Sequence, residues 1–167
     1  TCRWGILGTA GIARKNWQAI HNSGNSVLTA VASRDPARSE RFIAECQAQV
    51  PLPTRPQAFG SYEALLASPD VDAVYLPLPT GIRREWVIRA AEAGKHVVCE
   101  KPCAVTFAEL HEMTVACRRH GVQFMDGVMF VHGLRWQRLK ELLAEGSAIG
   151  EVRRIASQFS FLGDADF

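Results

Sequence analysis

Glu100-Lys101-Pro102 follows directly on a short apolar run, His96-Val97-Val98-Cys99. A lysine amine at the end of such a run, partly desolvated, can bind a carbonyl oxygen or move a proton. Pro102 would fix the backbone beside it. A Lys-Pro pair at a strand end is ordinary by itself and takes its meaning from its surroundings. A second group, Gly8-Thr9-Ala10-Gly11-Ile12, breaks one apolar run and opens a helical one. Backbone N–H groups at such a turn point outward, and the helix dipole adds partial positive charge, so the turn suits a phosphate. The frame Gly8, Ala10, Ala13 keeps the G-x-G-x-x-G/A dinucleotide spacing, with Ala10 in the middle position and Gly11 beside it. Ala10 crowds the approach of a pyrophosphate, and a tight turn without a ligand is the competing reading.

A third group ends the second apolar run: Ser33-Arg34-Asp35. NAD-specific folds place an acidic residue there to hold the ribose 2′-OH. Arg34 instead offers a planar fork that suits a 2′-phosphate. Ser33 adds a hydroxyl, and Arg38 lies one turn along the next helix. This favours NADP, with NAD second. The competing reading is a solvated Arg34 paired to Asp35.

The elements that would position these groups alternate short apolar runs with longer amphipathic ones. Strands are expected at 3–7, 27–32, 71–78, 96–99 and 122–125, and helices at 12–21, 36–47, 62–67, 83–93, about 107–120 and 134–145. Asp35 caps one helix with Pro36 at its first position. Thr80 is expected to cap the helix of Arg83, and Thr106 and Glu109 read as a reciprocal capping box. The stretch with Pro51, Pro53 and Pro56 reads as a loop. Strands separated by helices mean βαβ units and a parallel sheet, and the continuous apolar runs suit a sheet covered on both faces. Residues 151–161 alternate polar and apolar instead, which predicts a half-buried strand of a different sheet. The expected class is therefore α/β: a doubly wound parallel sheet over residues 1–127, then the start of a second domain over 128–167.

The chain has 167 residues, 47% apolar and 22% charged, with a net charge of +2. That composition excludes disordered, collagenous and coiled-coil chains. The longest stretch without charges, 16–33, contains Asn, Gln, His and Ser, so no membrane span is expected. The dispersed Arg and Lys give no sign of nucleic-acid binding. Five cysteines without a CxxC pair read as free thiols in a reducing compartment, hence a cytoplasmic location. Cys103, beside Lys101-Pro102, reads as a small buried side chain rather than a reactive thiolate. Trp17, Trp86 and Trp136 read as packing residues. His111 and His120 lack partners at metal spacing, so no metal is expected. Thr1 is no initiator and Phe167 follows a strand-like segment; a piece of a longer protein is expected.

Taken together, the chain resembles the Gfo/Idh/MocA oxidoreductase family, and within it the dimeric dihydrodiol dehydrogenase and NADP-dependent D-xylose dehydrogenase branch. The resemblance rests on Trp4-Gly5-Ile6-Leu7-Gly8, Gly11-Ile12-Ala13-Arg14-Lys15, Ala32-Ser33-Arg34-Asp35, Gly60-Ser61-Tyr62-Glu63, Glu100-Lys101-Pro102 and Met125-Asp126-Gly127. The stretch from Phe159 to Asp164 also looks like plant and algal members. The resemblance implies a Rossmann domain, a following α/β domain, and hydride transfer between NADP and a sugar or diol carbon. By this analogy Lys101 binds the reacting oxygen and assists proton transfer, and Glu100 places Lys101 and the nicotinamide. Gly8, Thr9, Ala10, Gly11, Ile12, Ser33, Arg34, Arg38, Leu78, Pro79, Thr80, Arg83, Glu100 and Lys101 would contact the cofactor. Relatives commonly carry His where Arg83 stands, which changes size and charge there. His132 and Arg135 match a His-Asn-Pro-Arg pattern and would face the substrate.

The resemblance also implies a small-molecule substrate, a homodimer, and a second catalytic Tyr or His after an Asp-x-Gly-like segment. No such segment occurs before Phe167, so these 167 residues are expected to bind NADP but turn over weakly. The alternative is a non-catalytic dinucleotide-binding or redox-sensing protein of the same fold.

Overall fold

The computed structural model describes residues 1–147, 149–158 and 160. They form two compact units, Thr1–Val128 and Met129–Phe167.

The first unit is built on six parallel strands: β1 Cys2–Leu7, β2 Ser26–Ala32, β3 Gln57–Phe59, β4 Ala73–Leu76, β5 His96–Cys99 and β6 Phe124–Asp126. Their spatial order is β3-β2-β1-β4-β5-β6. Strand order reverses between β1 and β4, which opens a crevice at the carboxyl ends of those two strands. The helices are α1 Ala13–Asn22, α2 Pro36–Gln49, α3 Tyr62–Leu66, α4 Thr80–Glu92 and α5 Phe107–Arg119.

Period-two alternation sends successive strand residues to opposite faces. Leu7, Ala32, Val74, Leu76 and Cys99 meet Val87, Ala90, Ala91, Met113 and Cys117 of α4 and α5 on one face. Ile6, Leu28, Val31 and Tyr75 meet Ala13, Trp17, Ile20, Phe42, Ile43 and Cys46 of α1 and α2 on the other. Each Ile, Leu or Val buried in these layers contributes about 1.5–3 kcal/mol relative to exposure. Trp17 buries its ring against Phe42 and donates its indole N–H to the Val50 carbonyl at 2.9 Å. Trp86 packs edge-on against Tyr62.

Several expectations are corrected. The proline-rich loop ends in β3, three residues that pair with Ala30, Val31 and Ala32; a strand this short carries too little periodicity to be read. Thr80 does not cap α4. It is the first helical residue, Pro79 is the cap residue, and no side chain closes that end. The Thr106 hydroxyl does accept from Glu109 N at 3.2 Å, but Glu109 reaches one residue further back, to Val105 N at 2.9 Å. Asp35 caps α2 as expected, accepting from Ala37 N at 2.9 Å with Pro36 at the first position.

The second unit holds a 3-10 turn, Met129–His132, and α6, Leu134–Glu145, which ends at left-handed Gly146. Trp136 lies edge-on to Phe130 with ring centroids 5.7 Å apart. The strand expected at 151–161 does not form over 151–158, which have no regular structure and are exposed. An alternating strand needs a neighbour to take its backbone hydrogen bonds and apolar face, and no strand pairs with it among the described residues. Phe159 and Phe161 lie outside the described residues.

Candidate dinucleotide site

The loop after β1 starts at Gly8, whose N–H donates to the Ala32 carbonyl at 2.8 Å. Gly8 has φ of +111°, and a Cβ there would stand 2.9 Å from Cδ2 of buried Leu78. The position therefore needs glycine for both conformation and space. Ala13, Arg14 and Lys15 donate to the Ala10, Gly11 and Ile12 carbonyls and start α1. No protein acceptor takes the N–H groups of Thr9, Ala10, Gly11 or Ile12 among the described residues. Ile12, the cap residue of α1, supplies no side-chain bond. Four free donors at a helix N-terminus are what a pyrophosphate needs. Nothing lies within 4 Å of a Cβ built on Gly11, so the space above the turn is open.

Arg34 and Arg38, at the carboxyl end of β2 and the start of α2, are exposed and form no ion pair among the described residues. Arg34 is not paired to Asp35, whose carboxylate caps α2 instead. Ser33 is buried, and its hydroxyl accepts from Asp35 N at 3.5 Å. A cleft of about 140 Å³ adjoins the loop, lined by Thr9, Arg14, Arg38, Arg41, Phe42 and Glu45. Glu45 is held by Arg14, which also lies over the Phe42 ring, so Arg38 and Arg41 are the unpaired cations of that cleft.

Across the crevice, Leu78 is buried, Pro79 exposed and Thr80 half-buried. Arg83, one turn into α4, is buried. Its Nε donates to the Leu78 carbonyl at 2.6 Å, and Nη1 donates to the carbonyls of Glu100, at 2.8 Å, and of Pro102. Its guanidinium is thus turned into the protein. Glu100 Oε1 accepts from the Tyr75 hydroxyl at 2.7 Å, and Oε2 accepts from Lys101 N at 3.1 Å. Gly127 N donates to the Cys99 carbonyl at 2.8 Å, and a Cβ on Gly127 would press on Cys99 O and Glu100 Cα at 3.3 Å. The Lys101-Pro102 peptide bond is cis. Lys101 itself is exposed, not partly desolvated as expected, because no described residue walls it in.

Burial pushes the Cys99 thiol up to about 12, with Cys103 and Glu100 adding to it and Arg83 opposing. Burial, then the charge of Asp126, raises the Cys103 thiol as well. Neither is a ready thiolate, in keeping with the packing role read for Cys103. All five cysteines are free. His132 and Arg135 lie in the second unit, on the 3-10 turn and the first turn of α6, and both are exposed. Sequence reading missed Tyr75 and Gly127 as supports of Glu100. Met125-Asp126-Gly127 carried a signal for the second, whereas Tyr75 looked like one more apolar strand residue.

A cavity of about 550 Å³ lies elsewhere, at the amino ends of β1, β2 and β3. Arg3 and Arg55 in its wall are already paired, with Asp70 and Asp72 and with Glu40. Ligands of doubly wound sheets bind at the carboxyl ends, where the free amides and Lys101 are. Among the described residues there is no cluster fit to hold a metal ion, and no helix long and apolar enough to cross a membrane.

A doubly wound parallel sheet with free amides at its switch point defines a dinucleotide-binding Rossmann domain. Residues 2–128 match the model of the GFO_IDH_MocA oxidoreductase family, NAD-binding Rossmann fold, and the chain belongs to that family. It is 37% identical over 167 residues to a dTDP-3,4-didehydro-2,6-dideoxy-alpha-D-glucose 3-reductase from Saccharopolyspora spinosa, covering 98% of this chain and 48% of the relative. It is 40% identical over 158 residues to D-xylose 1-dehydrogenase (NADP(+)) 2 from Haloferax volcanii, covering 95% and 46%. A 3-ketoreductase from Actinomadura kijaniata, crystallised with TDP-benzene and NADP, superposes with a TM-score of 0.79 at 35% identity, covering 91% of this chain and 46% of that one. The chain spans about half the length of the curated relatives it matches. The dTDP-sugar reductases were not among the relatives expected from sequence, where the xylose and dihydrodiol enzymes stood first.

Proposed function

We propose that the protein is an NADP-dependent oxidoreductase that moves a hydride between the nicotinamide and a carbinol or carbonyl carbon of a sugar or diol. The observation that carries this reading is the Glu100-Lys101-Pro102 turn, held at the carboxyl end of β5 by Tyr75, Arg83 and Gly127. A lone dinucleotide-binding module has no use for a lysine so closely framed. The bound cofactor supplies the hydride chemistry. The chain's own residues bind, orient and move a proton.

The free amides of Thr9, Ala10, Gly11 and Ile12 would hold the pyrophosphate, and Arg34 and Arg38, both exposed and unpaired, would take the 2′-phosphate. Ser33 would close that end, with Leu78, Pro79 and Thr80 along the nicotinamide side. Lys101 Nζ would donate to the reacting oxygen and pass a proton as the C–O bond order changes. His132 and Arg135 are proposed substrate contacts, on their match to the family pattern. The relatives named above act on xylose and on dTDP sugars, which supports a carbohydrate substrate. Residues 1–127 as the cofactor domain, 128–167 as the start of a substrate and dimerisation domain, and a homodimer of the natural-length protein complete the proposal.

The test is a thermal-shift titration with NADPH and with NADH. Ligand bound only by the folded state stabilises it by about 2.7 kcal/mol at a hundredfold excess over Kd. A shift with NADPH that is much smaller with NADH supports the assignment; no shift with either sinks it. Replacing Lys101 by Met in the natural-length protein should abolish turnover with NADPH binding kept.

A further inference from the structure

Arg83 is a buried cation with no carboxylate partner among the described residues. Its partners are three main-chain carbonyls, those of Leu78, Glu100 and Pro102. Leu78 follows β4, whereas Glu100 and Pro102 follow β5, so one side chain ties together the ends of two adjacent strands. Glu100 and Pro102 are also the residues on either side of Lys101. Burying a charge is costly unless it is well bonded, and carbonyls left without donors are costly too. A planar fork with several donors in one plane satisfies all three carbonyls at once; a histidine ring, with at most two N–H donors, could not.

We infer that Arg83 is the positioning residue of Lys101: by anchoring the carbonyls before and after it, Arg83 sets the direction in which the lysine leaves the sheet. This rests on the reading of Lys101 as the proton-moving group, and it replaces the expectation that Arg83 touches the cofactor. Its guanidinium is engaged inward, whereas the free amides of the Gly8–Ile12 loop supply the cofactor's anion site. The substitution relative to a family histidine thereby changes how the lysine is held rather than what the cofactor meets.

The experiment follows Lys101 directly. Lysine amines are reductively methylated with ¹³C-formaldehyde, which keeps their charge, and the Lys101 signal is assigned by its loss in Lys101→Arg. Arg83→Gln removes the fork. The expected result is that the Lys101 methyl signal changes position or line width relative to the parent, while the Kd for NADPH stays within threefold of the parent. An unchanged Lys101 signal overturns the inference, whether the variant is merely less stable or has lost NADPH affinity more than tenfold, as a cofactor contact would. If Arg83→Gln does not fold, Arg83→Lys is read in the same way: a moved Lys101 signal supports the anchor, an unmoved one overturns it. A parent chain that shows no NADPH binding refutes the proposed function, and the Lys101 signal still reports on the anchor.

Discussion

The Tyr75 hydroxyl stands 2.7 Å from Glu100 Oε1 and donates to it. The ring belongs to the layer packed against α1 and α2, and its oxygen reaches the turn that carries Lys101. A core residue on β4 is therefore also the outer support of the candidate site. Burial above all, then the hydrogen bond to Glu100 and that carboxylate's charge, drive the ionisation of Tyr75 far above the usual tyrosine range.

Tyr75→Phe should consequently destabilise the chain by about 1.5–3 kcal/mol, the range for a hydrogen bond to a charged group. The pH dependence has a definite sign. Above about pH 10 the unfolded chain loses the Tyr75 proton and the folded chain keeps it, so stability present below that pH falls as pH rises. Denaturant melts between pH 8 and 11 should show this decline in the parent and a shallower one in the variant. Equal slopes would mean that Tyr75 ionises freely in the folded state.

Gly8→Ala meets two obstacles: a φ of +111° and Leu78 Cδ2 at 2.9 Å from the new Cβ. A non-glycine residue in such a conformation costs about 1–3 kcal/mol. The variant should melt lower and bind NADPH more weakly, because the loop amides move with Gly8. Gly11→Ala is the informative contrast. Its Cβ meets nothing, so stability should hardly change while NADPH binding reports whether the space above the turn is occupied by cofactor. Calorimetric titration of both variants decides between loop strain and cofactor crowding.

The parallel sheet was legible because β4 and the carboxyl halves of β1 and β2 are buried on both faces and therefore read as apolar runs. Asp35 and Thr106 announce their helices because a short polar side chain before a helical stretch can take a free N–H group of its first turn, and both do cap. What failed depended on partners distant in sequence. β3 exists because Ala30–Ala32 offer it an edge, which Gln57–Phe59 cannot reveal. The inward bonding of Arg83 was not legible, because its acceptors are backbone carbonyls up to nineteen positions away and carbonyls have no sequence signature. The 151–161 pattern encodes a strand only where another strand lies beside it.

Arg3 and Asp72 tie the start of β1 to the segment before β4 through three bonds: Arg3 N and Nε to Oδ2 at 2.9 and 3.0 Å, and Nη2 to Oδ1 at 2.6 Å. These bonds hold the Asp72 carboxyl down at about 2. Its pKa is lowered in the folded state, so the stability it contributes is present above the unfolded value near 3.9 and is lost as pH falls towards 2. The pair is more than one-third exposed, so solvent screening keeps its contribution small. Asp72→Asn should melt below the parent at pH 7, and the two should converge near pH 2. A gap that persists at pH 2 would assign the effect to packing instead.

Arg34 and Arg38 are both exposed and unpaired, yet they sit differently: Arg38 lines the cleft that also contains Thr9 of the phosphate loop, and Arg34 lies outside its wall. A 2′-phosphate between them would gain a charge-assisted bond from each. Arg34→Ala should then weaken NADPH binding about tenfold or more, equivalent to about 1.4 kcal/mol, and leave NADH binding nearly unchanged. Arg38→Ala should do the same, and the double variant should bind the two cofactors alike. Raising salt should narrow the NADPH advantage of the parent, because exposed cations are screened. Equal losses for NADPH and NADH would instead place Arg34 against the adenine face or the pyrophosphate, which the two cofactors share. No loss in either variant would leave Arg41 as the remaining unpaired cation of the cleft to carry the 2′-phosphate, and Arg41→Ala would be the next variant to measure.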